Sequence, residues 1–395
     1  MPRKATEIIP KHLALLKKQV LNKSGIQLVR SVDCDQLAKE ISKQTQTYVN
    51  GITFKRLFGY TKYPFNPSIQ TLDILSQYIG YKNWYEFEFY LSDKKPISKQ
   101  ELEIYLSFYD LDLVNDVSAH EGAFQSVSRK IALRFREDSN ALILHLSELI
   151  KKPYAQIFFV EHFPDYDNLC NYYYKVVEEY LEHKKTREAQ LYGNCMLFLH
   201  SFWLLDKKCC GKYLQQINKI KIDESIHPYV IGRYYACNLL YEAFYKDGKN
   251  IEKLYNSYLQ LRNLLPKDGK HFYDFPASEY IVSEALLHCK EYQKCQQITD
   301  LGFKDYNLKM EFVRKGYYRQ MQLFWLISSK KINPKTQIDL QLEKIEPKNF
   351  YFISQKYFSV LYHFAKGKPQ DIKVAKKLAS EMGNRYFLEV LLNEC

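Results

Sequence analysis

Three clusters of tyrosine, Tyr172-Tyr173-Tyr174, Tyr234-Tyr235 and Tyr317-Tyr318, are the residues best suited to recognition chemistry. A phenol offers a rigid apolar body with a polar tip, which suits contact with a peptide backbone in a groove. Each helical step turns by about 100°, so consecutive tyrosines cannot all face a core. Tyr173, Tyr174, Tyr234, Tyr235, Tyr317 and Tyr318 are therefore candidate groove residues. The competing role is sealing helix–helix seams with their hydroxyls in water.

A second spacing, Pro164-Asp165 followed by Glu182-His183-Lys184, imitates a metal-dependent nuclease. That chemistry sets carboxylates and a lysine on adjacent strands around Mg2+, whereas residues 172–181 have a helical period. No Gly-x-Gly-x-x-Gly, P-loop, His-Glu-x-x-His or Gly-x-Ser-x-Gly occurs, and His120-Glu121-Gly122 is followed by Phe124 where a second histidine would stand. His162, His183, His200 and His288 are scattered, and Cys289 and Cys295 are wrongly spaced for zinc. The chain is expected to be no enzyme and to need no metal or cofactor.

Charge points elsewhere. The 395 residues carry a net +12, and residues 1–82 hold 13 Lys and Arg against 5 Asp and Glu, a net +8. A basic module on a nearly neutral body is the layout for meeting a polyanion. The 46% hydrophobic content excludes wholesale disorder, and only 14 glycines argue against Gly-rich cofactor loops and many hairpins. Nine cysteines without a Cys-x-x-Cys pair, a start at Met1-Pro2-Arg3-Lys4 with no apolar signal segment, and no apolar run near ~20 residues predict a cytoplasmic chain with reduced thiols and no membrane span.

The elements that would position these residues are helical throughout. Residues 12–21 form a basic amphipathic helix. Asp33 is a candidate N-cap with Gln36 three places on, Asn50 caps a helix stopped by Gly59, and Asn66-Pro67 opens one closed by Gly80. Asn83 with Glu86 caps a fifth, bearing Trp84, Phe87 and Leu91. The reading is all-α: a small helical domain over 1–91, a polar linker over 92–100, and paired helices over 101–395 recurring every ~35–45 residues, as in an α-solenoid. Ala285-Leu286-Leu287, Tyr292 and Cys295 carry tetratricopeptide-like spacing, without the usual repeat proline.

The first module resembles the helix-turn-helix domain of the Cro/phage-repressor (Xre) family. The resemblance rests on Leu37-Ala38, Thr53-Phe54-Lys55-Arg56-Leu57-Phe58-Gly59, and the run Pro67-Ser68, Thr71-Leu72, Leu75, Ile79-Gly80, over residues 30–82. It implies that the helix ending in Gly59 lies in the DNA major groove, with Asn50, Thr53, Lys55 and Arg56 reading bases and Lys62 on a phosphate. Those residue types suit the roles, since Arg pairs with guanine, Asn with adenine, and Lys neutralises phosphate. The connection 42–49 is longer than the family's tight turn. The order of parts is similar to bacterial peptide-sensing regulators, an Xre-type head followed by tetratricopeptide repeats. That implies a transcriptional regulator of double-stranded DNA, a peptide or protein ligand in the repeat groove, and a homodimer. The alternative is an interaction scaffold whose head does not bind DNA, with a metal-dependent nuclease as a remote third.

Overall fold

The structure, a computed structural model, describes residues 10–26, 28–61, 67–91, 96–110, 117–265, 278–305, 312–345, 347, 350 and 353–393. Among the described residues every regular element is a helix and no strand occurs. The chain gathers into two compact units, Met1–Tyr105 with Leu133–Leu144, and Leu106–Ala132 with His145–Cys395. Of the expected linker, residues 92–95 lie outside the described residues, and Ser98 accepts the Glu101 amide at 3.1 Å to start the next helix.

The first unit begins with α1 (Pro10–Ser24), α2 (Ser31–Thr45), α3 (Gly51–Leu57), α4 (Ile69–Ile79) and α5 (Trp84–Leu91). Their apolar stripes converge on Leu16, Leu37, Phe54, Leu72, Trp84 and Phe87, all fully buried, each contributing about 1.5–3 kcal/mol of transfer free energy. Two caps fall differently from the sequence reading. Helix α2 starts at Ser31, so Asp33 sits in its first turn and reaches back to the amides of Val29 and Arg30, at 2.8 and 2.6 Å. The bonds from Arg30 and then Val29 hold its carboxyl below the usual range. Ser68 caps α4 through the Thr71 amide at 3.3 Å, with Pro67 just before it; Asn66 lies outside the described residues. Helices α6 (Lys99–Phe108) and α7 (Val117–Glu137) follow, of which Lys99–Tyr105 and Leu133–Glu137 belong to this unit, and then α8 (Ser139–Leu144). Within this unit Arg134 pairs with Glu101 at 2.9 Å, and Asp138 accepts the Ile97 amide at 3.0 Å.

The second unit runs through α9 (Leu146–Ile150), α10 (Pro153–Ala155), a wide π-helical turn over Gln156–Glu161, α11 (Tyr174–His183), α12 (Arg187–Trp203), α13 (Lys207–Asn218), α14 (Pro228–Tyr245) and α15 (Ile251–Arg262). It continues with α16 (Ser278–His288), α17 (Tyr292–Asp305), α18 (Phe312–Ile332), α19 (Asp339–Leu342), α20 (Gln355–Lys366), α21 (Pro369–Glu381) and α22 (Arg385–Glu389). Helices α12, α14, α16, α18 and α20 touch in succession, and α13, α15, α17 and α21 each pack on the helix before. Gly232 permits the α14–α16 approach, because a Cβ there would lie 2.9 Å from the Ser278 carbonyl.

The far helices also meet the early ones. Asp167 accepts the amides of Lys356 and Tyr357, at 3.1 and 3.0 Å, at the start of α20. Trp203 of α12 stacks on Tyr357 at 5.2 Å, and Phe202 lies 4.8 Å from Tyr386 of α22. An array whose pairs touch only their neighbours has no such contacts.

Candidate functional site

The face carried by α3 is set by its caps. Asn50 is extended, its side chain accepts the Ile52 amide at 2.9 Å, and Gly59 ends the element at φ +82°. Because α2 runs on to Thr45 and ends with Gln46 in the left-handed region, only residues 46–50 separate the two helices, fewer than the sequence spacing indicates. Asn50 and Arg56 are exposed and Thr53 is half-buried. Lys55 is tied at 2.7 Å to Asp35 of α2. Lys62 lies outside the described residues.

The six tyrosines divide evenly. Tyr173, Tyr235 and Tyr317 are buried, and Tyr174, Tyr234 and Tyr318 are half-buried. Tyr173 donates to the Val160 carbonyl at 3.1 Å, Tyr235 shares a 3.0 Å bond with Ser257, and Tyr317 packs 5.2 Å from Tyr280. Tyr174 stacks on His200 at 4.6 Å, and Tyr318 lies 4.9 Å from Phe303.

A buried polar centre in the second unit was not anticipated. Arg233 of α14 is 4% exposed, donates to the Tyr229 hydroxyl at 2.6 Å, and lies over the rings of Tyr229 and Tyr166. From α16, Glu284 accepts from Tyr357, whose hydroxyl also meets His288 Nε2 at 2.8 Å; His288 Nδ1 in turn meets Tyr386 at 3.2 Å. Enclosure by protein pushes the Glu284 carboxyl up to about 7, against the pull of the Tyr357 bond and of Arg233. Burial alone holds His288 down at about 3. The chain Glu284–Tyr357–His288–Tyr386 thus links a carboxyl that titrates near neutrality to an imidazole kept uncharged. The sequence signs of this centre are charged residues inside apolar runs, Arg233 in α14 and Glu284 in α16.

Beside it lies a cavity of about 120 Å³, lined by Glu161, Tyr180, Lys184, Thr186, Glu188, Ala189, Tyr192, His227, Tyr229 and Val230. Thr186 and His227 are the N-caps of α12 and α14. Glu161 takes both the Tyr180 hydroxyl and the Lys184 ammonium at 2.5 Å.

The nuclease-like residues have separate partners. Asp165 accepts from Asn168 and Tyr172, both at 2.8 Å, Glu182 pairs with Lys185 at 3.6 Å, His183 with Glu179 at 3.0 Å, and Lys184 with Glu161. Residues 174–183 are helix α11 instead of strand. Among the described residues no group of three or more His, Cys, Asp or Glu side chains is placed to hold a metal ion, and no helix is long and apolar enough to cross a membrane. The eight described cysteines are free thiols. No protein-family model, no curated protein and no solved structure matches the chain.

Proposed function

We propose that the chain is a sequence-specific DNA-binding transcriptional regulator, with a helical-repeat body that carries effector and dimer contacts. The observation that supports this is the face of α3, where Asn50 and Arg56 are exposed on a short helix one brief turn after α2. The head's net charge of +8 suits a phosphate backbone. The succession of contacts from α12 through α14, α16 and α18 to α20 supports reading the body as a helical-repeat array.

Fluorescence anisotropy with duplex DNA across a salt series tests the reading, each neutralised phosphate adding about −0.9 to the log–log slope. Arg56→Ala should cost about 1–3 kcal/mol on a preferred site. Lys62→Ala should weaken all sequences alike. Asp35→Asn releases Lys55 for a phosphate, so binding should tighten and the salt slope steepen. If Arg56→Ala binds as the parent does, the DNA reading fails.

A second reading, a protein-docking head, draws on a different observation. Tyr48 is 81% and Ile52 52% exposed, and Ile52 is one turn from Arg56 on the same side of α3. Exposed apolar residues grouped with polar ones mark protein contacts. Light scattering with and without DNA tests the dimer, and a strict monomer in both conditions counts against it.

A further inference from the structure

The cavity beside the polar centre has a consistent chemistry of its own. The ring of Tyr192 lies 6.0 Å from that of Tyr180 and 6.1 Å from that of Tyr229, so three aromatic rings follow one another along its wall. Glu161, Glu188 and Lys184 share the lining. Burial, and then the charge of His162, hold His227 down at about 4, so its ring is neutral at pH 7. Two negative charges therefore stand against one positive.

Several donors of the wall are bonded to neighbouring protein groups. Tyr180 donates to Glu161, Tyr192 donates to the Val160 carbonyl at 3.2 Å, and the Ala189 amide bonds Thr186 at 3.3 Å. The His227 amide bonds Glu188 at 2.6 Å, and the Tyr229 amide bonds His227 Nδ1 at 3.1 Å. At each of the two helix N-termini here one amide is taken by its cap, that of Ala189 by Thr186 and that of Tyr229 by His227. A carboxylate has about four acceptor sites, so Glu161 and Glu188 keep capacity beyond these bonds. The complementary ligand brings donors and positive charge.

Lys184 shows how such a group sits. Its ammonium meets Glu161 at 2.5 Å and lies 5.9 Å from the Tyr180 ring centroid, between a carboxylate and an aromatic face. Size narrows the class: a cavity of about 150 Å³ accepts benzene, so the roughly 120 Å³ here suits a ligand of about five or six heavy atoms. We propose that this cavity binds a small primary ammonium ion, held by Glu161 and Glu188 against the rings of Tyr180, Tyr192 and Tyr229. The site rests on the second unit alone and is independent of whether the head binds DNA.

Calorimetry and thermal melting of the full chain with n-butylammonium, butyrate and n-butanol test it. Butylammonium should bind and raise the melting temperature, and the other two should not. N-acetyl-lysine amide distinguishes a lysine side chain from a free amine: binding of either ammonium supports the site, and the tighter one names the source. Glu188→Gln keeps an acceptor for the His227 amide and removes the charge, so it should weaken butylammonium about tenfold or more. Lys184→Ala should melt lower and be rescued by butylammonium more strongly than the parent. Equal effects of butyrate or butanol, or an affinity unchanged in Glu188→Gln, overturn the proposal.

Discussion

At Gly51 the absence of a side chain is what lets α3 start against α2. A Cβ there would lie 2.0 Å from Asp35 Oδ1 and 3.3 Å from its Cα. Asp35 is held in that place by Lys55 at 2.7 Å, so it cannot swing aside without breaking the ion pair. Gly51→Ala should therefore destabilise the chain by about 1–3 kcal/mol, the usual range for overpacking, in urea unfolding followed by circular dichroism. A variant as stable as the parent would mean that the two helices separate without loss. The ion pair with Asp35 also ties Lys55, a candidate base reader, to α2. Composition cannot show this, because Asp35 and Gly51 are distant in sequence and meet only after packing.

The ends of α3 illustrate what an element decides. Asn50 Oδ1 already accepts the Ile52 amide, so the bidentate grip on adenine that its residue type suggests would break the cap. Asn50→Ala should cost about 0.5–2 kcal/mol of stability, while Asn50→Ser, an equally good cap, should cost almost nothing. Unfolding of both variants, followed by their DNA titrations, separates the cap from base reading. If Asn50→Ser binds DNA as the parent does, Asn50 serves the helix alone. The starts and stops at Asn50, Gly59, Gly80 and Asn83 were legible because capping is local. The end of α2 was not, because Ser42 and Lys43 carry no stop signal and Gln46 adopts the left-handed turn at φ +52°.

Over the whole molecule, stability should follow the desolvated titratable groups of the second unit, of which His288 is buried and Glu284, His162 and His227 are half-buried. Glu284 is raised from 4.5 to about 7, so its contribution is full below pH 4.5 and is lost as pH rises through 7. That loss amounts to about 3 kcal/mol at most. Glu284→Gln should thus be more stable than the parent at pH 8, with little difference at pH 4, in urea titrations at both pH values. An unchanged gap across that range would show that Glu284 ionises without penalty. His162 and His227 are held at about 4 and His288 at about 3. Their contribution is full above 6.5 and disappears as pH falls through those values, so acid unfolding should begin in this unit.

The helical class, most helix spans and the basic head were determined by the sequence itself, because periodicity, caps and charge act over a few residues. Tyr172-Tyr173-Tyr174 shows where that reach ends. Helical geometry required the three to point different ways, but only packing decided that Tyr173 bonds Val160, Tyr172 bonds Asp165 and Tyr174 stacks on His200. The polar centre and the cavity likewise draw on α11, α12, α14, α16, α20 and α22, whose residues lie as far apart as Glu161 and Tyr386. Their chemistry depends on which side chains share a desolvated space, and that follows from the approach of the far helices to the early ones, a long-range contact for which no short stretch of sequence carries a signal.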